Sequence, residues 1–393
     1  MLEGKLARFV GLPAIKVLSV QKARSAHIYH CEKIRTRFEV CPKCVRPSES
    51  VYDHRWVTVR DEPLRRSSCW LRIRKRRYWC GSCRKPFTEP IDGIFRRERS
   101  TQRFKRALLW ACENFSSLSL VRENFQCSSN LIYRSVFSQL ELKLRQYESP
   151  WPKVIGIDEH FFTRRKGFSE FFTVFVDMKG HRVREAVLGR TARDVQPQIS
   201  HIQGAENVMW AVIDMSETYR SLIRKQFTNA QIVADKFHVL RLLSPALRRR
   251  RIDVTGDLRT LKIKRLLQKN RENLSYSDRQ DVDRWLLQHP ELNEVYRIKE
   301  RLHELYRCKG YEKAKKNLER LLENIGTSKL EEIQTLHRTL RKWKGEILNY
   351  FLTGLTNAMT EGFNRIASLV KNRGFGYRNE KNYRLRFISA CAR

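Results

Sequence analysis

The sequence lacks any unbroken apolar run of the ~18–20 residues that a membrane-spanning helix needs, which argues against a membrane protein. Its first twenty residues, MLEGKLARFVGLPAIKVLSV, also lack the continuous apolar core of a signal peptide, because charged residues and a proline interrupt them. We therefore expect a cytoplasmic protein whose cysteines stay reduced. The chain contains no internal repeat and no low-complexity linker.

Acidic residues are scarce relative to basic ones. The 393 residues include 42 Asp and Glu against 79 Lys and Arg, a formal net charge of +37. Hydrophobic residues still make up 41% of the chain, which excludes a disordered basic tail and places the charge on folded domains. A chain of this length predicts two or three domains. Such a positive surface attracts polyanions, so nucleic acid is the expected partner and an anionic membrane surface the weaker alternative.

Two closely spaced pairs stand out among the ten cysteines. The motif CPKC contains Cys41 and Cys44, and the motif CGSC contains Cys80 and Cys83. A two-residue gap lets both thiolates of a pair reach one Zn²⁺, so the four cysteines predict a closed structural zinc site. Between the pairs, CWLRIRKRRYWC alternates apolar and basic residues, which predicts a strand with one buried face. Four unrelated reduced cysteines are the alternative.

Residues 99–145 have the periodicity of helices. Ser100 or Thr101 is placed to cap a first helix that carries Phe104, Leu108 and Ala111 on one side. A tight turn at 126–128 then separates a short helix from another that starts at Ser129. In a helix-turn-helix, this last helix enters the major groove through a set of four residues: Ser129, Asn130, Tyr133 and Arg134. A helical hairpin used only for packing fits the periodicity equally well.

Three aspartates follow short apolar runs that read as buried strands. The run VIGI at 154–157 ends at Asp158 and Glu159, the run at 208–213 ends at Asp214, and AQIVADKFHV passes Asp235 into a helix. Residues 154–188 predict a β-meander that begins with the first of these strands. Acids that end buried strands share one edge of a sheet and suit a hard cation such as Mg²⁺. For each acid, and for Asp235 above all, a turn or helix cap is the alternative.

A fourth acid lies on a helix near the end of the chain. In TEGFNRIASLVKNRG, helical spacing predicts a core stripe of Met359, Phe363, Ile366 and Val370. The opposite face carries Asn357, Glu361, Asn364 and Ser368. A solvated helix face on this protein is expected to be basic, so Glu361 is a candidate functional residue. An ordinary surface glutamate is the alternative.

Two further basic segments are candidate DNA-binding surfaces. Residues 239–350 read as charge-rich helices with an apolar stripe at 292–306, and they begin near a run of four arginines, Arg248, Arg249, Arg250 and Arg251. We expect these arginines to contact DNA phosphates, although a solvated helical bundle explains the same pattern. In KNRGFGYRNEKNYRLRF, cations alternate with aromatic residues suited to stacking on frayed DNA, namely Lys371, Arg373 and Arg378 with Phe375, Tyr377 and Tyr383. A basic turn and helix end is the alternative.

Four segments together resemble the ISL-three (ISL3) family of bacterial insertion-sequence transposases: VIGIDEHFFTRRKG, VIDMSETYR, IVADKFHV and TEGFNRIASLVKNRGFGYRN. The resemblance implies an α/β ribonuclease H-like catalytic core with a large all-helical insertion, preceded by a small zinc ribbon and a helix-turn-helix. It implies a DDE catalytic triad of Asp158, Asp214 and Glu361. Supporting residues near the core would be Glu159, Asp235, His238 and Asn357. The chain departs from the family at Val45, where a glycine often follows the first cysteine pair.

The resemblance also implies the domain order and the reaction. The expected boundaries are an N-terminal arm at 1–38, a zinc ribbon at 39–95, a helix-turn-helix at 96–150, a catalytic core at 151–238 and 351–393, and a helical insertion at 239–350. The implied reaction is Mg²⁺- or Mn²⁺-dependent cleavage and transfer of DNA strands, without a covalent intermediate, after binding to terminal inverted repeats. Partners would be the element ends, target DNA and a second copy of the chain, on nucleoid DNA of a bacterial cytoplasm. A non-catalytic DNA-binding regulator, a decayed transposase and a nuclease acting on RNA–DNA hybrids remain alternatives.

Overall fold

The computed structural model describes residues 12, 14–115, 117–145, 148–165, 167–256, 262–374 and 377–392. The chain divides into two compact units. The first is Met1–Tyr147 with Asn372–Tyr377, and the second is Glu148–Lys371 with Arg378–Arg393. Within the described ranges, no helix is long and apolar enough to cross a membrane.

The first unit contains a five-stranded sheet. Its strands are β1 (Ile15–Ala23), β2 (Ala26–Lys33), β5 (Val51–Leu64), β6 (Ser67–Cys80) and β7 (Lys85–Thr88), and a short separate pair is formed by β3 (Glu39–Val40) and β4 (Pro47–Ser48). The order is β1-β2-β6-β5, and β7 also pairs with β6. Along β6, Leu71 and Ile73 are buried while Arg72 and Arg74 are exposed, which confirms the strand predicted from the alternating sequence.

The expected N-terminal arm at 1–38 is wrong for the part of it that the structure describes. Strands β1 and β2 form an antiparallel hairpin, and β2 pairs in parallel with β6 from Ala26 opposite Ser68 onward. Ile15 and Val17 share a buried cluster with Leu71 of β6. An unpaired edge of β6 would expose its backbone hydrogen-bonding groups, and the hairpin satisfies them. The hairpin is therefore part of the zinc-ribbon sheet.

Three helices follow this sheet: α1 (Gln102–Asn114), α2 (Leu118–Phe125) and α3 (Ser129–Arg145). The hydroxyl of Thr101 accepts a hydrogen bond from the N–H of Phe104, so Thr101 caps α1 as the sequence predicted. Helix α2 ends at Gln126, whose φ of 46° places it in the left-handed region. Helix α3 then begins at Ser129. The predicted succession of helix, tight turn and helix is confirmed as secondary structure.

Sheet and helices of the first unit are joined through a buried carboxylate. Asp61 of β5 is 3% exposed, and its Oδ1 accepts hydrogen bonds from Thr101 Oγ1 and from Arg103 Nε, each at 2.7 Å. These contacts fix the start of α1 on the sheet. The ribbon and the helices consequently form one unit, rather than separate domains divided between residues 95 and 96.

The second unit is built on a mixed five-stranded sheet of order β10-β9-β8-β11-β12. Its strands are β8 (Val154–Arg165), β9 (Phe168–Asp177), β10 (Arg182–Leu188), β11 (Trp210–Ile213) and β12 (Gln231–Ala234). Strand β9 is antiparallel to both β8 and β10, and the three form the meander predicted for 154–188. Strands β8, β11 and β12 are parallel. Parallel strands buried on both faces read as continuous apolar runs, which explains the sequence pattern.

Twelve helices of the second unit lie in the described residues: α4 (Ala192–Ile199), α5 (Glu217–Gln226), α6 (Lys236–Arg241), α7 (Ser244–Thr255), α8 (Lys262–Gln268), α9 (Tyr276–Leu287), α10 (Pro290–Leu305), α11 (Tyr311–Gly326), α12 (Glu331–Lys342), α13 (Lys344–Thr353), α14 (Ala358–Arg373) and α15 (Glu380–Cys391). The apolar stripe predicted at 292–306 is buried on and just after α10. Residues of α7–α13 belong to the same buried apolar cluster as the sheet. Asn349 of α13 donates a hydrogen bond to the carbonyl of Ile232 in β12 at 2.8 Å. The helical insertion therefore packs directly on the core.

Candidate active site and zinc site

Three aspartates form a row across the neighbouring parallel strands β8, β11 and β12. Trp210 of β11 pairs with Val154 of β8 on one side and with Gln231 of β12 on the other. Continuing this register past β11 and β12 brings Asp214 and Asp235, which directly follow these strands, into line with Asp158 of β8. The expectation that the first strand ends at Asp158 is wrong, because β8 continues to Arg165 through its pairing with β9. Adjacent strands lie about 4.8 Å apart, so the three residues are immediate neighbours. The register thus brings the three predicted acids together, two of them at strand ends and one within a strand.

Asp158 and Asp214 are carboxylates whose charge the protein compensates only in part. Burial, and to a smaller extent the charge of Asp214, raise the pKa of Asp158 to about 6. Burial likewise raises the pKa of Asp214. Asp158 Oδ1 accepts the N–H of Glu159 at 2.8 Å. Asp214 Oδ1 is buried and has no hydrogen-bond partner among the described residues. A cation bound here would offset both the repulsion and the missing hydrogen bond.

Asp235 differs from its two neighbours because both of its oxygens are occupied. Oδ1 accepts the N–H of Asn357 at 2.9 Å, and Oδ2 lies 3.0 Å from Nδ1 of His238. Burial opposes ionisation of Asp235, but these hydrogen bonds outweigh it and lower its pKa. The hydrogen bond with Asp235 raises the pKa of His238, and the charges of Asp214 and Asp158 raise it further. Asp235 thus holds the imidazole of His238 beside the row and favours its protonated form.

Helix α14 places Glu361 on a face that docks against Asp158. Asn357, just before the helix, donates from Nδ2 to the carbonyl of Ile157 at 3.1 Å. Asn364 donates from Nδ2 to Asp158 Oδ2 at 3.0 Å. Glu361 is half-buried and lies between these two anchors, one turn from each. The helix therefore directs the residues around Glu361 toward the row.

The core stripe predicted for α14 is wrong. The buried residues of this helix are Thr360 and Ala367, whereas Met359 and Phe363 are only half-buried. The polar face packs on the sheet because its amide groups satisfy the carboxylate and backbone groups at the strand end. Periodicity alone could not show this, since it assumes that the apolar face is the buried one.

Gly156 makes this docking possible, and the sequence reading missed it. A Cβ at Gly156 would lie 2.5 Å from Thr360 Oγ1 and 2.9 Å from Asn357 Oδ1. A side chain here would push α14 away from the strand. A glycine inside an apolar strand indicates close approach of another segment, so VIGI contained a usable signal. Asn364 is the other missed residue, although it belongs to the polar stripe that drew attention to Glu361.

Glu159, which follows Asp158 on β8, has different surroundings. Successive side chains of a strand point to opposite faces, so Glu159 does not extend the row. Burial raises its pKa, and the nearby charge of Arg190 lowers it. Its backbone carbonyl accepts a hydrogen bond from Asn364 Nδ2 at 3.4 Å. Glu159 contributes to the docking of α14 through its backbone.

Cys41, Cys44, Cys80 and Cys83 converge as the sequence predicted. Their sulfurs lie within 4.8 Å of one another, with 3.9 Å between Cys41 and Cys83 and 3.5 Å between Cys44 and Cys80. Four sulfurs around a tetrahedral zinc at 2.3 Å would be about 3.8 Å apart. Among the described residues, no other set of three or more Cys, His, Asp or Glu side chains has its ligand atoms within 4.8 Å of one another. Asp158, Asp214 and Glu361 together also exceed this distance. The cluster supports structural zinc.

Proton sharing within the cysteine cluster fits a metal site. The backbone N–H groups of Cys44 and Lys43 lower the pKa of the Cys41 thiol to about 6, which favours the thiolate. The hydrogen bond with Cys44 raises the pKa of Cys83 to about 12. A divalent cation replaces such shared protons when it binds. Val45, which follows the first pair, is 76% exposed and has a φ of 58°, a left-handed conformation that favours glycine.

The predicted DNA-reading residues occupy the start of α3. Asn130, Tyr133 and Arg134 are exposed, and Ser129 is half-buried. The ring of Tyr133 stacks on Phe137 with 5.5 Å between centroids, which holds it in place on the surface. This face is free to contact a ligand, and its role in DNA binding stays a prediction.

The run of four arginines on α7 does not form a single surface. Arg248 and Arg249 are exposed, as expected. Arg250 is paired with Glu332 at 2.6 Å and with Glu291, and Arg251 is 2% exposed. The expectation that all four contact DNA is wrong for Arg250 and Arg251, because consecutive helical residues point in different directions.

The C-terminal basic segment is partly committed to internal contacts. Lys371 donates to the carbonyl of Phe161 at 3.1 Å and lies over its ring at 4.7 Å. Arg373 donates to the carbonyl of Glu113 at 2.8 Å. Arg378 is exposed and Tyr377 half-buried, whereas Phe375 lies outside the described residues. Tyr383 is completely buried against Phe162 and Phe172, so its predicted stacking on DNA is wrong.

Comparison with known proteins agrees with this arrangement of sites. A zinc-finger model, described as the zinc finger of transposases IS204, IS1001, IS1096 and IS1165, matches residues 37–83. The DDE transposase model of the ISL3 family, described as "Transposase", matches residues 155–387, more than half of the chain. The transposase for insertion sequence element IS1001 of Bordetella parapertussis is 25% identical over 364 residues, covering 89% of this chain and 88% of that protein. The zinc ribbon, the strand-end acids and Glu361 all fall within the matched segments, and the chain belongs to the ISL3 family of DDE transposases.

Proposed function

We propose that Asp158, Asp214 and Glu361 are the catalytic carboxylates with which this transposase cleaves and transfers DNA strands at the terminal inverted repeats of its element. The observation that carries the proposal is the alignment of Asp158 with Asp214 on adjacent parallel strands, with the face of α14 that bears Glu361 docked on Asp158. The mixed sheet, with acids aligned across its three parallel strands, also supports a ribonuclease H-like core.

The residues present fit a site for divalent cations. The buried Asp214 Oδ1, which has no hydrogen-bond partner among the described residues, and the raised pKa of Asp158 both favour a bound positive charge. Carboxylate oxygens are the ligands that Mg²⁺ and Mn²⁺ prefer. When bound, a pair of such ions activates a water or 3′-hydroxyl and stabilises the leaving oxygen of a phosphodiester.

The protein's own groups position this chemistry. Asn364 orients Asp158 through the hydrogen bond to Oδ2, and Asn357 fastens the start of α14 to β8 and to Asp235. His238 is held through Nδ1 by Asp235, and the raised pKa of its imidazole favours a positive charge near Asp214 and Asp158. Asp235, His238 and Asn357 are positioning residues in this scheme. Phosphoryl transfer of this kind needs no covalent nucleophile from the protein.

DNA binding in the proposal is divided among several surfaces. Helix α3 reads the element end in the major groove through Ser129, Asn130, Tyr133 and Arg134. Arg248 and Arg249, with Lys371, Arg373, Tyr377 and Arg378, contact phosphates or frayed bases. Two ends must be joined in one complex, so at least two copies of the chain act together, on nucleoid DNA in the bacterial cytoplasm.

The test is cleavage of a labelled element-end duplex in Mg²⁺ or Mn²⁺ by the wild type and by Asp158→Ala, Asp214→Ala and Glu361→Ala. Glu312→Ala, which removes an exposed first-turn acid of α11, is the matched control. We expect cleavage by the wild type and the control, and end binding without cleavage by the three variants. Cleavage by any of the three removes that residue from the set. A wild type that binds the end but never cuts it overturns the catalytic proposal.

A further inference from the structure

The helical insertion contains a cavity of about 580 Å³ that shares only Arg248 with the DNA-binding surfaces proposed above. It lies within the second unit, lined by α6, α7 and α8 and by residues around the end of α10. Its volume falls within the roughly 300–1,000 Å³ of typical small-molecule sites. Helix α6 faces two ways: His238 contacts Asp235 of the aspartate row, whereas Lys236, Phe237 and Arg241 line the cavity. The cavity therefore borders the candidate active site.

The lining of the cavity is strongly cationic. Seven lysine and arginine side chains and a single glutamate contribute to it. Two of the cations are neutralised, since Arg307 pairs with Glu272 and Lys299 with Glu300. Arg241 and Arg248 form no ion pair within the part of the chain that the structure describes, and both are exposed. Unmatched cations around a concavity attract an anion and hold phosphate through charge-assisted hydrogen bonds.

The cavity also offers an apolar and aromatic wall. Leu240, Leu247 and Leu267 line it, and Phe237 presents a ring that is 39% exposed. Tyr306 contributes a buried side chain, 6% exposed, whose hydroxyl has no hydrogen-bond partner among the described residues. A flat ring can stack on an aromatic side chain, and a buried hydroxyl gains a partner from a polar edge of that ring.

From this combination we propose that the cavity binds a nucleoside phosphate, with the phosphate at Arg241 and Arg248 and the base against Phe237. A bare phosphate would leave the apolar wall unused, and a purely apolar ligand would leave the arginines unmatched. The same chemistry is presented by a free nucleotide and by an unpaired nucleotide of bound DNA. The inference does not depend on strand cleavage, because it is measured by binding alone.

The experiment is calorimetric titration of the full-length, zinc-loaded protein at physiological salt without added Mg²⁺. The probes are dAMP, dTMP, deoxyadenosine and inorganic phosphate. We expect at least one nucleotide to bind about tenfold more tightly than phosphate or the nucleoside. Arg248→Gln should weaken that binding about tenfold or more, as loss of a charge-assisted hydrogen bond does. Phe237→Ala should weaken nucleotide binding and leave phosphate binding within about twofold.

Arg265→Gln is the matched control, because Arg265 is an exposed arginine of α8 that does not line the cavity. A duplex carrying one unpaired nucleotide, compared with a fully paired duplex, distinguishes the two sources. If the unpaired duplex competes with the free nucleotide, or alone binds in a way that depends on Arg248 and Phe237, the ligand is part of DNA. If only free nucleotide binds, the ligand is a small molecule. The proposal is overturned if Arg248→Gln and Arg265→Gln lose equal nucleotide affinity. It is also overturned if no probe binds more tightly than phosphate and the unpaired duplex binds no better than the fully paired one.

Discussion

Replacing Asp158 by asparagine should stabilise the folded protein at pH 8 although it removes a proposed catalytic group. Burial and Asp214 raise the pKa of Asp158 from its ordinary 3.8 to about 6. The folded state therefore binds the proton more tightly than the unfolded chain does, and stability falls as the pH rises from about 4 to about 6. A difference of about two pH units corresponds to about 3 kcal/mol of unfolding free energy that is missing above pH 6.

An uncharged amide at position 158 should recover about 2 kcal/mol of this, since its oxygen can still accept the N–H of Glu159. Asn364 can keep its hydrogen bond by rotating its amide, because its Oδ1 has no partner among the described residues. The assay is thermal unfolding of the zinc-loaded protein without added divalent cation. At pH 8 we expect a melting temperature about 5 °C above that of the wild type. At pH 4.5 the difference should shrink to about one third, since Asp158 is then largely protonated in the fold.

Asp92→Asn is the control, because Asp92 is an exposed carboxylate of the first unit. It should leave the melting temperature unchanged at both pH values. The reasoning is refuted if Asp158→Asn melts with the wild type at pH 8, or if its advantage is equally large at pH 4.5. Either result would mean that the surroundings of Asp158 do not oppose its ionisation.

Two further predictions test how the chain packs. Gly156→Ala should reduce strand cleavage about tenfold or more, because its Cβ meets Thr360 and Asn357 and displaces α14, while binding of element-end DNA stays within about twofold. The control Gly362→Ala, whose added Cβ meets nothing within 4 Å, should cleave normally. Unchanged cleavage by Gly156→Ala would contradict the docking argument. Val45→Gly should raise the unfolding free energy of the zinc-binding unit by about 1 kcal/mol, because it removes the backbone strain of a β-branched residue at a φ of 58°. A lower urea midpoint than that of the wild type would show that Val45 is not strained.

The sequence allowed prediction of features that depend on local pattern. Each of these acids follows a short apolar run, so Asp158, Asp214 and Asp235 could be recognised one at a time, although β8 continues beyond Asp158 to Arg165. Their alignment depends on the register between strands far apart in sequence, which no local pattern specifies. The pairing of the hairpin β1–β2 with β6 was missed for the same reason. The outcome for Arg250 and Arg251 could have been anticipated, because four consecutive residues on a helix cannot all face solvent on one side.

The row of aspartates shows how one sheet edge supports two different roles. Asp158, Asp214 and Asp235 are aligned on adjacent strands and all are buried to a large extent, so position alone does not distinguish them. Their hydrogen bonds do. Both oxygens of Asp235 are satisfied by Asn357 and His238, its pKa is lowered, and its charge is stable without a ligand. Asp158 and Asp214 have raised pKa values, and one oxygen of Asp214 has no hydrogen-bond partner in the described residues, so a bound cation would stabilise their ionised forms. The fold thus satisfies the aspartate that holds His238 and α14 in place, and in our proposal a bound ion would compensate the charges of Asp158 and Asp214.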